Sequence, residues 1–110
     1  MDLHEGIQLR QFRETRRLLI AIGDETRQEI LVTLSGEDCQ NGMRVGDIAA
    51  KTHLSRPSVS HHLKILLDAE VLGRRSEGTR NYYYLLLGGA WPTLVELVNH
   101  IERLRREHKK

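Results

Sequence analysis

An α+β fold, mainly helical, is predicted for this chain, with about five helices and one two-stranded β-hairpin. Three observations predict it. Apolar residues recur at helical spacing in several separate segments. Gly, Asp, Ser and Pro fall where those segments would start and stop. One stretch, 72–87, reads as two short strands around Gly78-Thr79, the second rich in Tyr and Leu, the pattern of a hairpin.

The elements follow in order. Residues 8–22 read as a helix with Phe12, Leu19 and Ile22 on one face, Leu18 widening it, and Arg13, Arg16 and Arg17 toward the other side. Gly23 breaks that helix, and Asp24 suits the N-cap of the next, 25–34, which should bury Ile30, Leu31 and Leu34. A polar loop, 36–42, carries the chain to Val45, where a very short strand is expected. Residues 47–53 read as a short helix whose Ala49 and Ala50 permit close approach of a neighbour. Leu54 plugs the turn, and Ser55 caps a helix over 56–70 with Pro57 in its first turn and Val59, Leu63, Leu66 and Leu67 as its apolar stripe. Strands are expected at 72–77 and 80–87. Gly88-Gly89 interrupts the chain, and 91–108 form the last helix, with Pro92 in its first turn. There Leu94, Leu97, Ile101 and Leu104 make a seam suited to packing on another helix, and Lys109-Lys110 should fray.

Length and composition bound the reading. The 110 residues suit one domain, 1–110, with a small core. Hydrophobic residues at 39% and charged residues at 29% describe an ordinary globular chain and exclude a disordered one. The formal net charge of +2 is a weak signal for nucleic acid. Its distribution says more: residues 1–40 are net acidic, whereas 41–90 hold seven basic residues against four acids, and 91–110 five against three. Cys39 is the only cysteine, so an intrachain disulfide is impossible and a reducing cytoplasm is the expected setting. No apolar run reaches membrane-spanning length, and the start, MDLHEGIQLR, lacks the pattern of a secretory signal.

Helix, turn and helix over 45–70, followed by a basic hairpin over 71–87, is the arrangement that places one helix in a DNA major groove with a wing beside it. On the second helix Pro57, His61, Lys64 and Asp68 point away from the apolar stripe, with Ser58 and Ser60 flanking them and Arg56 at the helix start. Arg favours guanine N7 and O6, and Ser and His serve phosphates or base edges. His62 lies nearer the stripe. Arg74, Arg75 and Arg80 bracket the hairpin turn, opposed locally by Glu77, and Lys51 lies elsewhere in the module. Either element alone would read as a solvated surface. Together they predict double-stranded DNA as partner, contacted by Arg56, Ser58, Ser60, His61, His62, Lys64, Arg74, Arg75 and Arg80. A winged-helix module that binds another protein is the alternative, and steep salt dependence would separate the two. No supported nucleophile–base pair and no Gly-rich phosphate loop is present, so an enzyme is not expected.

The chain resembles the ArsR/SmtB family of bacterial winged-helix repressors. The resemblance rests on Gly23-Asp24-Glu25-Thr26-Arg27 with Ile30-Leu31, on Asp47-Ile48-Ala49, on the run from Leu54 to Leu66, and on Gly78 to Leu85; Ser55–Leu63 is its most specific part. It implies a homodimer on a palindromic operator that represses transcription until an effector binds. It also implies a dimer interface built from the first and last helices, 1–22 and 90–108, to which Phe12, Leu19, Ile22, Leu94, Leu97, Ile101 and Leu104 would contribute.

The effector site is where the sequence departs from that family. One familiar metal site is a Cys-x-Cys just before the first helix of the helix-turn-helix; Arg44 and Gly46 stand at those positions here, and neither is a ligand. A second familiar site, on the last helix, needs an Asp-x-His spacing that 93–108 does not supply. What remains for a non-standard zinc, nickel or cobalt site is Glu96 and His100 one turn apart, His108, and His4 or Asp2 from the start of the chain. No cofactor is expected; a metal-responsive repressor using these groups is the alternative. Cys39 could act as a redox switch only between subunits or by modification.

Overall fold

The computed structural model describes residues 6–36 and 41–108. Five helices and one hairpin follow in the expected order: α1 Leu9–Ile22, α2 Glu25–Leu34, α3 Val45–Thr52, α4 Arg56–Asp68, β1 Leu72–Glu77, β2 Arg80–Leu85 and α5 Trp91–Glu107. The strands pair antiparallel in the register Leu72↔Leu85 to Glu77↔Arg80, and Gly78 turns the tip at φ 62°.

One core serves the whole unit. Leu18 and Ala21 of α1, Ile30 and Leu34 of α2, Ile48 and Ala49 of α3, and Val59, Leu63 and Leu66 of α4 meet Val71 and Leu72 at the root of the hairpin. Burying these apolar side chains supplies the main favourable term, about 1.5–3 kcal/mol for each large one. Asp24 and Ser55 are the expected N-caps: Asp24 Oδ2 accepts from Arg27 N at 3.0 Å, and Ser55 Oγ from Ser58 N at 3.2 Å.

The structure corrects five sequence expectations. The buried stripe of α1 is Gln11, Thr15, Leu18 and Ala21, so the face is rotated away from Phe12, which is exposed. The polar members are satisfied locally: Thr15 Oγ1 donates to Gln11 O at 2.9 Å, and Gln11 closes a capping box with Gln8. Val45 begins α3 and is not a strand; the extended residue is Met43, which exchanges two 2.8 Å backbone hydrogen bonds with Tyr83. Helix α4 stops at Asp68 and not at Glu70, because Glu70 takes a left-handed conformation at φ 58°. The second strand stops at Leu85, and Leu86 N turns to donate to Val71 O at 3.0 Å. His53, at φ 60°, likewise ends α3 one residue early.

Candidate nucleic-acid interface

The turn between α3 and α4 sets the reading helix. His53 in the left-handed region reverses the chain, Leu54 packs against the core, and Ser55 starts α4. With Val59, Leu63 and Leu66 buried, the opposite face is fixed: Pro57, Ser60, His61, Lys64 and Asp68 are all exposed, and Ser58 is half-buried. Arg56 is exposed too, and its guanidinium lies over Gly46 of α3. A Cβ on Gly46 would come within 2.9 Å of Arg56 Nη2, so glycine there makes room for the arginine.

His62 sits differently. It is half-buried, and its Nδ1 lies 3.2 Å from Nη1 of Arg27 on α2. The His61 ring meets it edge-on at 5.3 Å. Nearby Asp24 is held below the usual carboxylate range, chiefly by the hydrogen bond from Arg27 N, with the charge of Arg27 adding to it.

Strand alternation divides the arginines of the wing. Arg74 opposes Tyr83, and both line a groove shared with Ser60, Leu63, Lys64, Leu67 and Asp68 of α4. The hydroxyl-bearing Ser60 and Tyr83 and the cations Lys64 and Arg74 thus line one groove beside the reading helix, a set suited to phosphate oxygens, with Asp68 adding a negative charge. Arg75 belongs to the other face. Its guanidinium is 4.9 Å from the Tyr82 ring centroid, donates to Asn41 O at 2.9 Å, and pairs with Glu77 at 3.2 Å. Arg80, exposed beside Gly78, stands at the tip. Alternation with period two separates Arg74 from Arg75, a consequence of strand geometry that the bare Arg-Arg pair conceals.

The described metal candidates make separate contacts. His100 Nδ1 lies 3.1 Å from Gln11 Nε2, across the contact between α1 and α5, and His108 Nδ1 lies 2.9 Å from Leu104 O on its own helix. Glu96 is exposed one turn before His100. Among the described residues no three His, Cys, Asp or Glu side chains are grouped to hold a metal ion. Asp2, His4, Cys39 and Lys109-Lys110 lie outside the described residues. The position matching the family's thiolate site also does not fit a cation, since Arg44 caps α3 there and Arg56 covers Gly46.

Among the seven residues expected at a dimer interface, Leu97 is buried within the single chain, and Ile22 and Leu94 pack against its core. Leu19 and Leu104 are half-buried, whereas Phe12 and Ile101 are 45% and 42% exposed. The same two helices expose Leu9, Val95 and Val98 as well.

Residues 24–72, from the cap of α2 to the root of the wing, match the family model described as bacterial regulatory protein, arsR family. The transcriptional repressor SdpR of Bacillus subtilis is 48% identical over 65 residues, spanning 59% of this chain and 68% of that one. The chain belongs to the arsR family of bacterial regulatory proteins. Two solved structures extend the likeness over almost the whole fold. An ArsR-like transcriptional regulator from Rhodococcus sp. RHA1 superposes with a TM-score of 0.73 at 23% identity, covering 92% of this chain and 85% of that one. The homodimeric winged helix-turn-helix DNA-binding domain of a possible ArsR-family regulator from Mycobacterium bovis gives 0.64 at 26%, covering 96% and 97%. Membership makes this chain a transcriptional regulator with a DNA-binding winged-helix fold, and not an enzyme. Helices α3 and α4 are its helix-turn-helix and β1–β2 its wing. No helix among the described residues is long and apolar enough to cross a membrane.

Proposed function

We propose that this arsR-family chain is a cytoplasmic homodimeric repressor that binds a palindromic duplex operator and leaves it when an effector binds. The observation that carries the reading is the groove between α4 and the wing, where Ser60, Lys64 and Arg74 converge beside exposed His61. In the bound state α4 enters the major groove, with Arg56, Ser58, Ser60, His61 and His62 at or near the bases and Lys64 nearby. Arg74 and Arg80 hold the backbone or the minor groove. Arg75 acts by bracing the wing through Asn41 and Tyr82.

Two copies are needed because a palindrome presents its half-sites by two-fold symmetry. Exposed Phe12 of α1 and Val95, Val98 and Ile101 of α5 supply an apolar surface for the second copy, and the Mycobacterium bovis neighbour is itself homodimeric. The B. subtilis relative is named a repressor, which supports repression over activation. An effector that favours a dimer geometry with misplaced reading helices would release the DNA.

Selection from a random duplex library, followed by fluorescence anisotropy at several salt concentrations, tests this. The selected duplex should be palindromic, bind roughly a thousandfold or more tighter than a random one, and weaken steeply as salt rises. Failure to select any preferred duplex would overturn the reading.

A further inference from the structure

Arg27 is in the first turn of α2, away from the reading face, yet its side chain reaches both of the helices that matter. Its Nε donates to Ala21 O at 2.7 Å and its Nη2 to Ile20 O at 3.3 Å, two carbonyls in the last turn of α1, the second of which also accepts from Gly23 N. Its Nη1 faces Nδ1 of His62 on α4 at 3.2 Å. A guanidinium has five N–H donors and no acceptor, and it stays charged. The contact is therefore a hydrogen bond only if Nδ1 of His62 is the acceptor. A neutral imidazole has one donor and one acceptor nitrogen, so the ring proton must then sit on Nε2.

We infer that Arg27 is a positioning residue for DNA reading: it locks His62 in the tautomer whose Nε2–H donates to an acceptor of the bound duplex. This rests on the proposed operator reading. Three features support it. The backbone carbonyls of α1 hold the guanidinium in place, so the lock does not depend on a freely moving side chain. Asp24 N-caps the helix that carries Arg27 by accepting from Arg27 N, which fixes the backbone from which the guanidinium reaches. His62 is only half-buried, next to exposed His61 in the second turn of α4, so it retains access to solvent and hence to a duplex. A fixed donor discriminates for acceptors such as guanine O6 and N7, thymine O4 or a phosphate oxygen, and against a donor such as the cytosine amine. A ring free to exchange tautomers would lose that discrimination.

The test combines a spectrum with a double-mutant cycle on the full-length chain. Nitrogen-15 spectra of the imidazoles at pH 8 should show His62 in the Nε2–H form alone in the wild type and a mixture of tautomers in Arg27→Met. Affinity for the selected duplex should fall about tenfold in Arg27→Met, about as much in His62→Ala, and no further in the double variant. Loss restricted to the selected duplex places the acceptor on a base edge; equal loss on a random duplex places it on phosphate. A mixed or Nδ1–H tautomer in the wild type overturns the lock, as does full additivity of the two substitutions. The wild-type spectrum and His62→Ala need no Arg27 variant, so the inference remains testable if Arg27→Met fails to fold. A wild type that prefers no duplex overturns the operator reading, and the spectrum still decides the lock by itself.

Discussion

Single residues in this chain set where helices stop, and two of them, His53 and Glu70, do so at a cost. Glu70 ends α4 in a left-handed conformation at φ 58°, and its carbonyl accepts from Ala90 N at 3.0 Å, joining the end of the reading helix to the start of α5. A Cβ makes that conformation unfavourable, whereas glycine adopts it freely. The Glu70 side chain is exposed, so its removal should open no cavity. Glu70→Gly should therefore stabilise the fold by up to about 1 kcal/mol, read as a higher urea midpoint with an unchanged slope. A second residue-scale effect lies in α5. Hydrogen bonds from Arg105 first, and then Arg106, lower the Glu102 carboxyl from its ordinary 4.5 to about 2. A carboxyl depressed in the folded state contributes stability above its unfolded value and loses it as pH falls from about 4.5 through about 2. The stability gap between wild type and Glu102→Gln should therefore be small but measurable at pH 7 and should shrink from about pH 4.5 downward, with most of it lost at pH 2. A gap that stays constant over that range would show that the ion pairs do not contribute. Because the cluster is exposed, salt should also narrow the gap.

At the scale of elements, the sequence was most legible where one physical rule governs. Helical spacing with N-caps at Asp24 and Ser55 set the starts of α2 and α4, and the turn at Gly78 set the hairpin. It was least legible where polar groups fill the interior. Gln11 and Thr15 occupy the buried stripe of α1, so apolar periodicity alone placed the face too near Phe12. The site shows the same limit. The reading face of α4 follows from its apolar stripe, but Arg27 and His62 are 35 positions apart, and no local pattern signals their contact. In the wing, consecutive Arg74 and Arg75 look equivalent until strand alternation assigns them to opposite faces. This division gives a prediction. Arg74→Ala should weaken binding to all duplexes alike and reduce the slope of log affinity against log salt by about 1, as expected for loss of one phosphate contact. Arg75→Ala should leave that slope nearly unchanged while raising hydrogen exchange in the wing, because its partners are Asn41, Glu77 and Tyr82. Equal salt slopes for the two variants would contradict the assignment.

For the whole molecule, the surface that the small core leaves uncovered decides how a second copy would be held. The side of α1 and α5 not used by the core carries Leu9 at 63% exposure, Phe12 at 45%, Val95 at 54%, Val98 at 51% and Ile101 at 42%. Scattered apolar residues on a surface are ordinary, but these five, on two helices packed against each other, make a surface that a second copy would cover. Their neighbour Leu97 is buried inside the single chain, so α5 presents one face inward and keeps another for association. Burial of these side chains would stabilise the fold and set the spacing of the two α4 helices, which makes stability and operator affinity depend on the same surface. Charge placed there should separate the two functions. Phe12→Glu combined with Ile101→Glu should shift the chain from dimer to monomer in analytical ultracentrifugation, because both positions tolerate a polar side chain in the isolated subunit. Affinity for the palindromic duplex should fall at least a hundredfold, while affinity for a single half-site changes little, since each α4 keeps its own caps and core. The melting temperature of the wild type should rise with protein concentration and that of the double variant should not. A double variant that remains dimeric would move the interface to another surface, and one that loses half-site binding as well would show that α1 and α5 hold the reading helix in place within the subunit itself.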